Sequence, residues 1–125
     1  MILDTNALSA TADGAPAAVE LLSRCERLAV PVIVIGEYRY GILHSRQKQA
    51  YEKWLEDWLA SVDVLPVDQA TAQQYAEIAM ELKKLGKPIP TNDLWIAALC
   101  RQYPLALMSR DKHFDAVPGI DRIEW

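Results

Sequence analysis

Four acids in this chain stand where an acid is awkward. Asp4 follows the short apolar run Ile2-Leu3 and is trailed by Thr5 and Asn6, so that a carboxylate, a hydroxyl and an amide come side by side. Glu37 lies inside VIVIGEYRYGIL, among apolar and aromatic residues. Asp93 comes just after Thr91 and Asn92, at the head of the apolar stretch LWIAALC, and Asp111 follows Ser109 and Arg110 behind LALM. Such groups must find partners or stay wet, and each has an ordinary account. Asp4 suits a turn or a helix cap. Glu37 suits an ion pair with Arg39 or a neighbouring segment. Asp93 suits the first turn of a helix, where the dipole favours an acid and Thr91 or Asn92 caps the free amides. Asp111 suits a turn. Together they allow a different chemistry. Several carboxylates in one place repel each other unless protonated or bridged by cations. Hard divalent ions such as Mg²⁺ or Mn²⁺ take oxygen ligands and keep waters for substrate phosphates. A site of that kind activates water and stabilises the charge on a displaced phosphate oxygen.

The elements that must bring these acids together alternate in type. Ile2-Leu3 reads as a short strand, and Pro16 opens a helix carrying Ala17, Ala18, Val19, Leu21 and Leu22. A strand over 28–30 leads to Pro31, which suits the first turn of a helix running to about His44. Residues 47–61 are strongly amphipathic, with Tyr51, Trp54, Leu55, Trp58 and Leu59 at helical spacing. VDVLPV gives the next strand, Asp68 caps a long helix that stops at Gly86, and a loop leads into a buried helix reaching about Arg101. LALMS and RIEW supply the last strands. Strands alternating with helices predict a mainly parallel central sheet with helices on both faces, an α/β three-layer sandwich. Ligands of such folds sit beyond the carboxyl ends of the strands, where Asp4 and Asp111 both fall.

The totals narrow the partners. A chain of 125 residues, 51% hydrophobic, makes one domain over 1–125 with a real core. No apolar run approaches the ~18 residues that span a bilayer, and no basic region precedes an apolar stretch as in a secretory signal. Cys25 and Cys100 have no metal or redox spacing. The cytoplasm is the expected compartment. A net charge of −4 disfavours holding long stretches of nucleic acid by phosphate neutralisation. A bound cation would supply the positive charge that is missing.

The stretches LDTNAL, IGEYRYGI, NDLWIAALC and LMSRDKHF resemble, in order, the four acidic motifs of the PIN domain, and most nearly those of the VapC toxins of bacterial toxin–antitoxin pairs. The resemblance runs over almost the whole chain. It implies the PIN-like sandwich, an endoribonuclease dependent on Mg²⁺ or Mn²⁺, and a metal site of Asp4, Glu37, Asp93 and Asp111. It places the polar helper after the first acid on Asn6 and the hydroxyl of the last motif on Ser109. Thr5 and Asn92 join these as residues that orient a ligand or reach the substrate. Gly41 stands where the family favours a glycine one helical turn past the glutamate. Trp95 and Cys100 are bulkier than the family's usual choices. The partners implied are an RNA substrate, a cognate antitoxin encoded nearby, and a second copy in a homodimer. The aromatic stripe of 51–59 is expected on the core, on that second copy or on the antitoxin. Arg39, Lys83, Lys84, Lys87, Arg110 and Lys112 are candidate phosphate contacts.

Two other classes begin similarly. A phosphatase built on an aspartyl nucleophile also starts with a strand and an acid, but needs a second acid two residues on, where Asn6 stands. A non-enzymatic receiver-like signalling domain gathers acids at a strand end, but gives no reason for Glu37 inside an apolar helix.

Overall fold

The computed structural model describes residues 1–125. In chain order they form β1 (Ile2–Leu3), α1 (Thr5–Ala12), α2 (Pro16–Ser23), β2 (Ala29–Pro31), α3 (Val32–Ile42), α4 (Lys48–Leu59), β3 (Asp63–Leu65), α5 (Gln69–Leu85), α6 (Thr91–Gln102), β4 (Leu107–Met108), a short 3₁₀ turn (Lys112–Ala116) and β5 (Arg122–Ile123). The sheet order is β3-β2-β1-β4-β5, and every neighbouring pair is parallel. The chain winds outward from β1 to β3 and then crosses to β4 on the other side, so β1 and β4 flank the point where the winding reverses.

Strand alternation divides the interior into two cores. Ile2 and its partner Leu107 point into the larger core, and Leu3 and its partner Met108 into the smaller. Residues from α3, α4, α5 and α6 fill the larger core, and Ala18 and Leu22 of α2 close the smaller. The helix α6 gives a continuous buried run, Ile96 to Cys100. The aromatic stripe of α4 turns inward: Leu55 is buried, and Tyr51, Trp54, Trp58 and Leu59 pack partly buried against the larger core. There Trp54 stacks on Trp58 with centroids 5.4 Å apart, and Tyr51 meets Tyr38 edge-on at 6.5 Å.

Two local features differ from the sequence-based expectation. Residues 5–12 form a helix where only a cap or turn was expected, because Ala7 and Leu8 alone are buried and leave almost no apolar periodicity to read. At α6 the capping residue is Pro90, with no side-chain cap, and Thr91 and Asn92 are already helical and exposed. Proline's fixed φ delivers the chain into the helix unaided, which leaves the Asn92 amide free. The α5 boundaries hold at both ends. Asp68 and Thr71 form a reciprocal capping box, and Gly86 takes the left-handed conformation at φ 67°.

Leu99 is fully enclosed and Met80 is about half exposed, on α6 and α5 respectively. In urea titrations, Leu99→Ala should lower stability by roughly 2–5 kcal/mol through lost burial and the cavity left behind. Met80→Ala should stay within about 0.5 kcal/mol.

Candidate metal centre

The four acids converge on the carboxyl edge of the sheet. Asp4 leaves the end of β1 tied to β4 by its amide, which donates to the Met108 carbonyl at 3.3 Å. Only 4% of its surface is exposed. One carboxylate oxygen accepts from the Ala7 amide at 2.8 Å, so Asp4 caps α1 as well as facing the other acids. Burial pushes its carboxyl above the usual range. The Ser109 hydroxyl and the Ala7 amide pull it down, and the charges of Asp111 and Glu37 push it up again.

Asp93 sits in the first turn of α6, and its carboxyl is also raised, first by burial. His113 opposes this, while Asp111, Glu37 and Asp4 add to it. Each of these two carboxyls thus feels the charge of its counterparts, which is the electrostatic signature of one shared site. Asp93, Asp111 and His113 form its tightest part, offering one ligand atom each within 4.8 Å of one another. Asp4 and Glu37 stand outside that trio but near enough for their charges to act on Asp93.

Glu37 projects from α3, partly exposed, and forms no ion pair with Arg39. Its Oε1 accepts from the Thr5 hydroxyl at 3.0 Å instead. Ser109 is fully enclosed, and its oxygen accepts from the Asp111 amide at 3.0 Å, fixing the backbone that carries that acid. Asn92 shares a shallow hollow with Thr5, Glu37 and Tyr40. Asn6 lies on the far side, in a separate hollow with Arg110 and Trp125. Arg110 is spoken for: its guanidinium lies 4.4 Å from the centre of the Trp125 ring and donates to the Trp125 carbonyl at 2.7 Å. Lys87 and Lys112 line one cavity beside His113, whereas Arg39, Lys83 and Lys84 are exposed away from that wall.

His113 is the residue that sequence reasoning passed over, since it counted carboxylates alone. Its Nε2 comes within 2.9 Å of Asp93 Oδ2 without the alignment of a hydrogen bond. The available signal was position: two residues past Asp111, on a 3₁₀ turn, its side chain returns to the same edge.

The donor set fits a divalent cation. It is rich in carboxylate oxygen, partly desolvated and self-repelling when empty, with one imidazole nitrogen at its margin.

Known proteins share this architecture. The chain is 30% identical over 125 residues to Ribonuclease VapC5 of Mycobacterium tuberculosis, covering 98% of this chain and 91% of that one. It superposes on the crystal structure of VapBC2 from Rickettsia felis bound to a DNA fragment from its promoter with a TM-score of 0.86, at 25% identity, over 99% of this chain and 97% of that one. FitAcB from Neisseria gonorrhoeae matches with a TM-score of 0.86, at 29% identity, over 98% and 95% of the two chains. A family model described as the PIN domain matches residues 1–120. With the sheet order and the acids at its edge already in hand, this match settles the kinship: the chain belongs to the PIN domain family.

Proposed function

We propose that this protein is the toxin of a type II toxin–antitoxin pair, an endoribonuclease that hydrolyses RNA phosphodiester bonds with Mg²⁺ or Mn²⁺. The observation that carries the reading is the gathering of the acids at the sheet edge, where Asp93, Asp111 and His113 offer ligand atoms within 4.8 Å of one another and Asp4 and Asp93 both feel the charges of Asp111 and Glu37. That arrangement costs stability unless a cation is held there. Asp93 and Asp111 would hold it, with Asp4 and Glu37 completing the oxygen set. When bound, such a cation supplies an activated water and stabilises the charge of the departing oxygen. The chain's own residues do the positioning. The Thr5 hydroxyl orients Glu37, and Ser109 fixes the segment carrying Asp111. Lys87 and Lys112 supply positive charge for the RNA backbone on the His113 side. The Asn92 and Asn6 amides reach substrate from opposite margins.

Relatives crystallised as VapBC and FitAB complexes support a cognate antitoxin as the protein partner. A homodimer belongs to the same reading. Because the α4 stripe faces the core, that contact would use other exposed apolar side chains, among them Val32 and Tyr40 of α3 and Leu43 just past its end, exposed by 45%, 72% and 51%. No helix is long and apolar enough to cross a membrane.

Three outcomes are expected. Mg²⁺ or Mn²⁺ should support cleavage of single-stranded RNA and EDTA should abolish it; full activity after thorough chelation would sink the metal mechanism. Light scattering should find a dimer without antitoxin, and a monomer at about tens of micromolar, where modest interfaces are already populated, would count against it. The third concerns Asp4→Asn, which keeps the cap on α1 because asparagine caps as well as aspartate. It should abolish cleavage yet leave the metal-free protein as stable as the parent or ~1 kcal/mol more stable, since one repelling charge is gone. Asp4 has a raised folded pKa, so its contribution to stability is full below its unfolded pKa and is lost as pH rises through the folded value. The advantage of the variant, read by thermal melts in EDTA, should therefore shrink as pH falls from about 7 to about 4. Added Mg²⁺ should raise the melting temperature of the parent far more than that of the variant.

A further inference from the structure

Between α1, α3 and the start of α4, directly beside Glu37, lies a cavity of about 260 Å³ walled by Ser9, Asp13, Glu37, Tyr38, Ser45 and Tyr51. This is below the ~300–1,000 Å³ of sites for drug-sized ligands, and so of the scale of one small ring system. Three features mark it as shaped for a ligand. Tyr38 is 4% exposed, yet its hydroxyl finds no hydrogen-bond partner in the chain. Buried hydroxyls are rarely left unpaired without a reason. Asp13 is held in place by the Tyr51 hydroxyl, which donates to its Oδ1 at 2.7 Å and leaves Oδ2 open. Finally, Gly41 lies within α3 and lines the cavity, and a Cβ built on it would meet no atom within 4 Å. A helix-interior glycine is less stable than alanine there, and here it leaves open the space that a methyl group would take.

We propose that this cavity is a base-selecting subsite that seats a guanine of the RNA being cut, a proposal resting on the ribonuclease reading above. The wall offers a mixed pattern: a carboxylate that only accepts, and hydroxyls that also donate. The Ser45 oxygen already takes the Gln47 amide at 3.0 Å, so its O–H is free to donate outward. Guanine matches this pattern, because its N1–H and N2 amine donate side by side while O6 accepts. Uracil would set carbonyl oxygens against Asp13. An arginine or lysine side chain from a protein partner offers donors alone and leaves the hydroxyl donors unanswered. A phosphate is repelled by Asp13, so the backbone stays outside, where a cation held by the sheet-edge acids would receive it, while the base enters.

The test has two arms, on the parent and on Gly41→Ala, Tyr38→Phe and Asp13→Asn. In the first, a random pool of single-stranded RNA is cut with Mn²⁺ and the ends are sequenced. The parent should favour guanine over uracil roughly tenfold at one fixed position near the cut, and each variant should fall below about twofold, the span one good base-edge contact supplies. In the second, guanosine is titrated into metal-free protein and tyrosine NMR shifts are followed; the parent should respond and Gly41→Ala should not. Gly41→Ala and Tyr38→Phe should melt no lower than the parent, which separates lost recognition from lost folding. Guanine preference absent from the parent, or intact in Gly41→Ala, overturns the proposal. So do variants that keep the cleavage pattern but escape inhibition by the cognate antitoxin, since the cavity would then hold protein. A parent that cuts no RNA with either ion overturns the ribonuclease reading, and the guanosine arm still decides for or against the subsite.

Discussion

The arrangement depends on the enclosure of one carboxylate. β1 is the central strand and two residues long, so the chain reaches its carboxyl end while still inside the protein, and the next residue is Asp4. A charge there is costly unless it is answered. Part of the answer is local, from the Ala7 amide at the start of α1 and the Ser109 hydroxyl at the end of β4. The neighbours on the remaining side are acids, which sharpen the problem instead of solving it. The fold thus fixes a carboxylate firmly in position and leaves its charge only partly compensated, a condition that a cation relieves and that water cannot fully reach.

The neighbouring elements serve the same constraint. Parallel pairing of β1 with β4 puts Ser109 and Asp111 at the same edge as Asp4, because parallel strands end together. α3 leaves β2 at that edge and carries Glu37 back over it, where Thr5 holds it. α6 begins near that edge and contributes Asp93 from its first turn, so its amino-terminal dipole favours the acid that the crowding disfavours.

How much of this was legible in the sequence varied with the kind of signal. The α5 boundaries were plain because Asp68 and Gly86 each use a local chemistry that only helix ends require. The four acids were plain because acids beside apolar runs are hard to place elsewhere, and each does lie at the sheet edge. α1 was not legible as a helix, since its small residues bury too little to leave a periodic trace. His113 was missed because its membership depends on the turn after β4 bringing a side chain back toward α6, a relation between segments twenty residues apart. The cavity beside Glu37 was hidden for the same reason, as Asp13, Gly41 and Tyr51 meet only after three helices have packed. The aromatic stripe of α4 showed its periodicity but not its neighbour, and only the packing reveals that the core is what it covers.

The margins of the sheet carry a consequence of their own. β3 and β5, the outer strands, are three and two residues long. A row of free amides and carbonyls that short cannot template a further strand in register, so the edges offer little foothold for sheet-to-sheet growth or for an extended peptide added alongside. Any chain that embraces this molecule tightly must therefore do so across its helices and the acidic rim. The same brevity leaves folded copies little edge on which to add strand to strand.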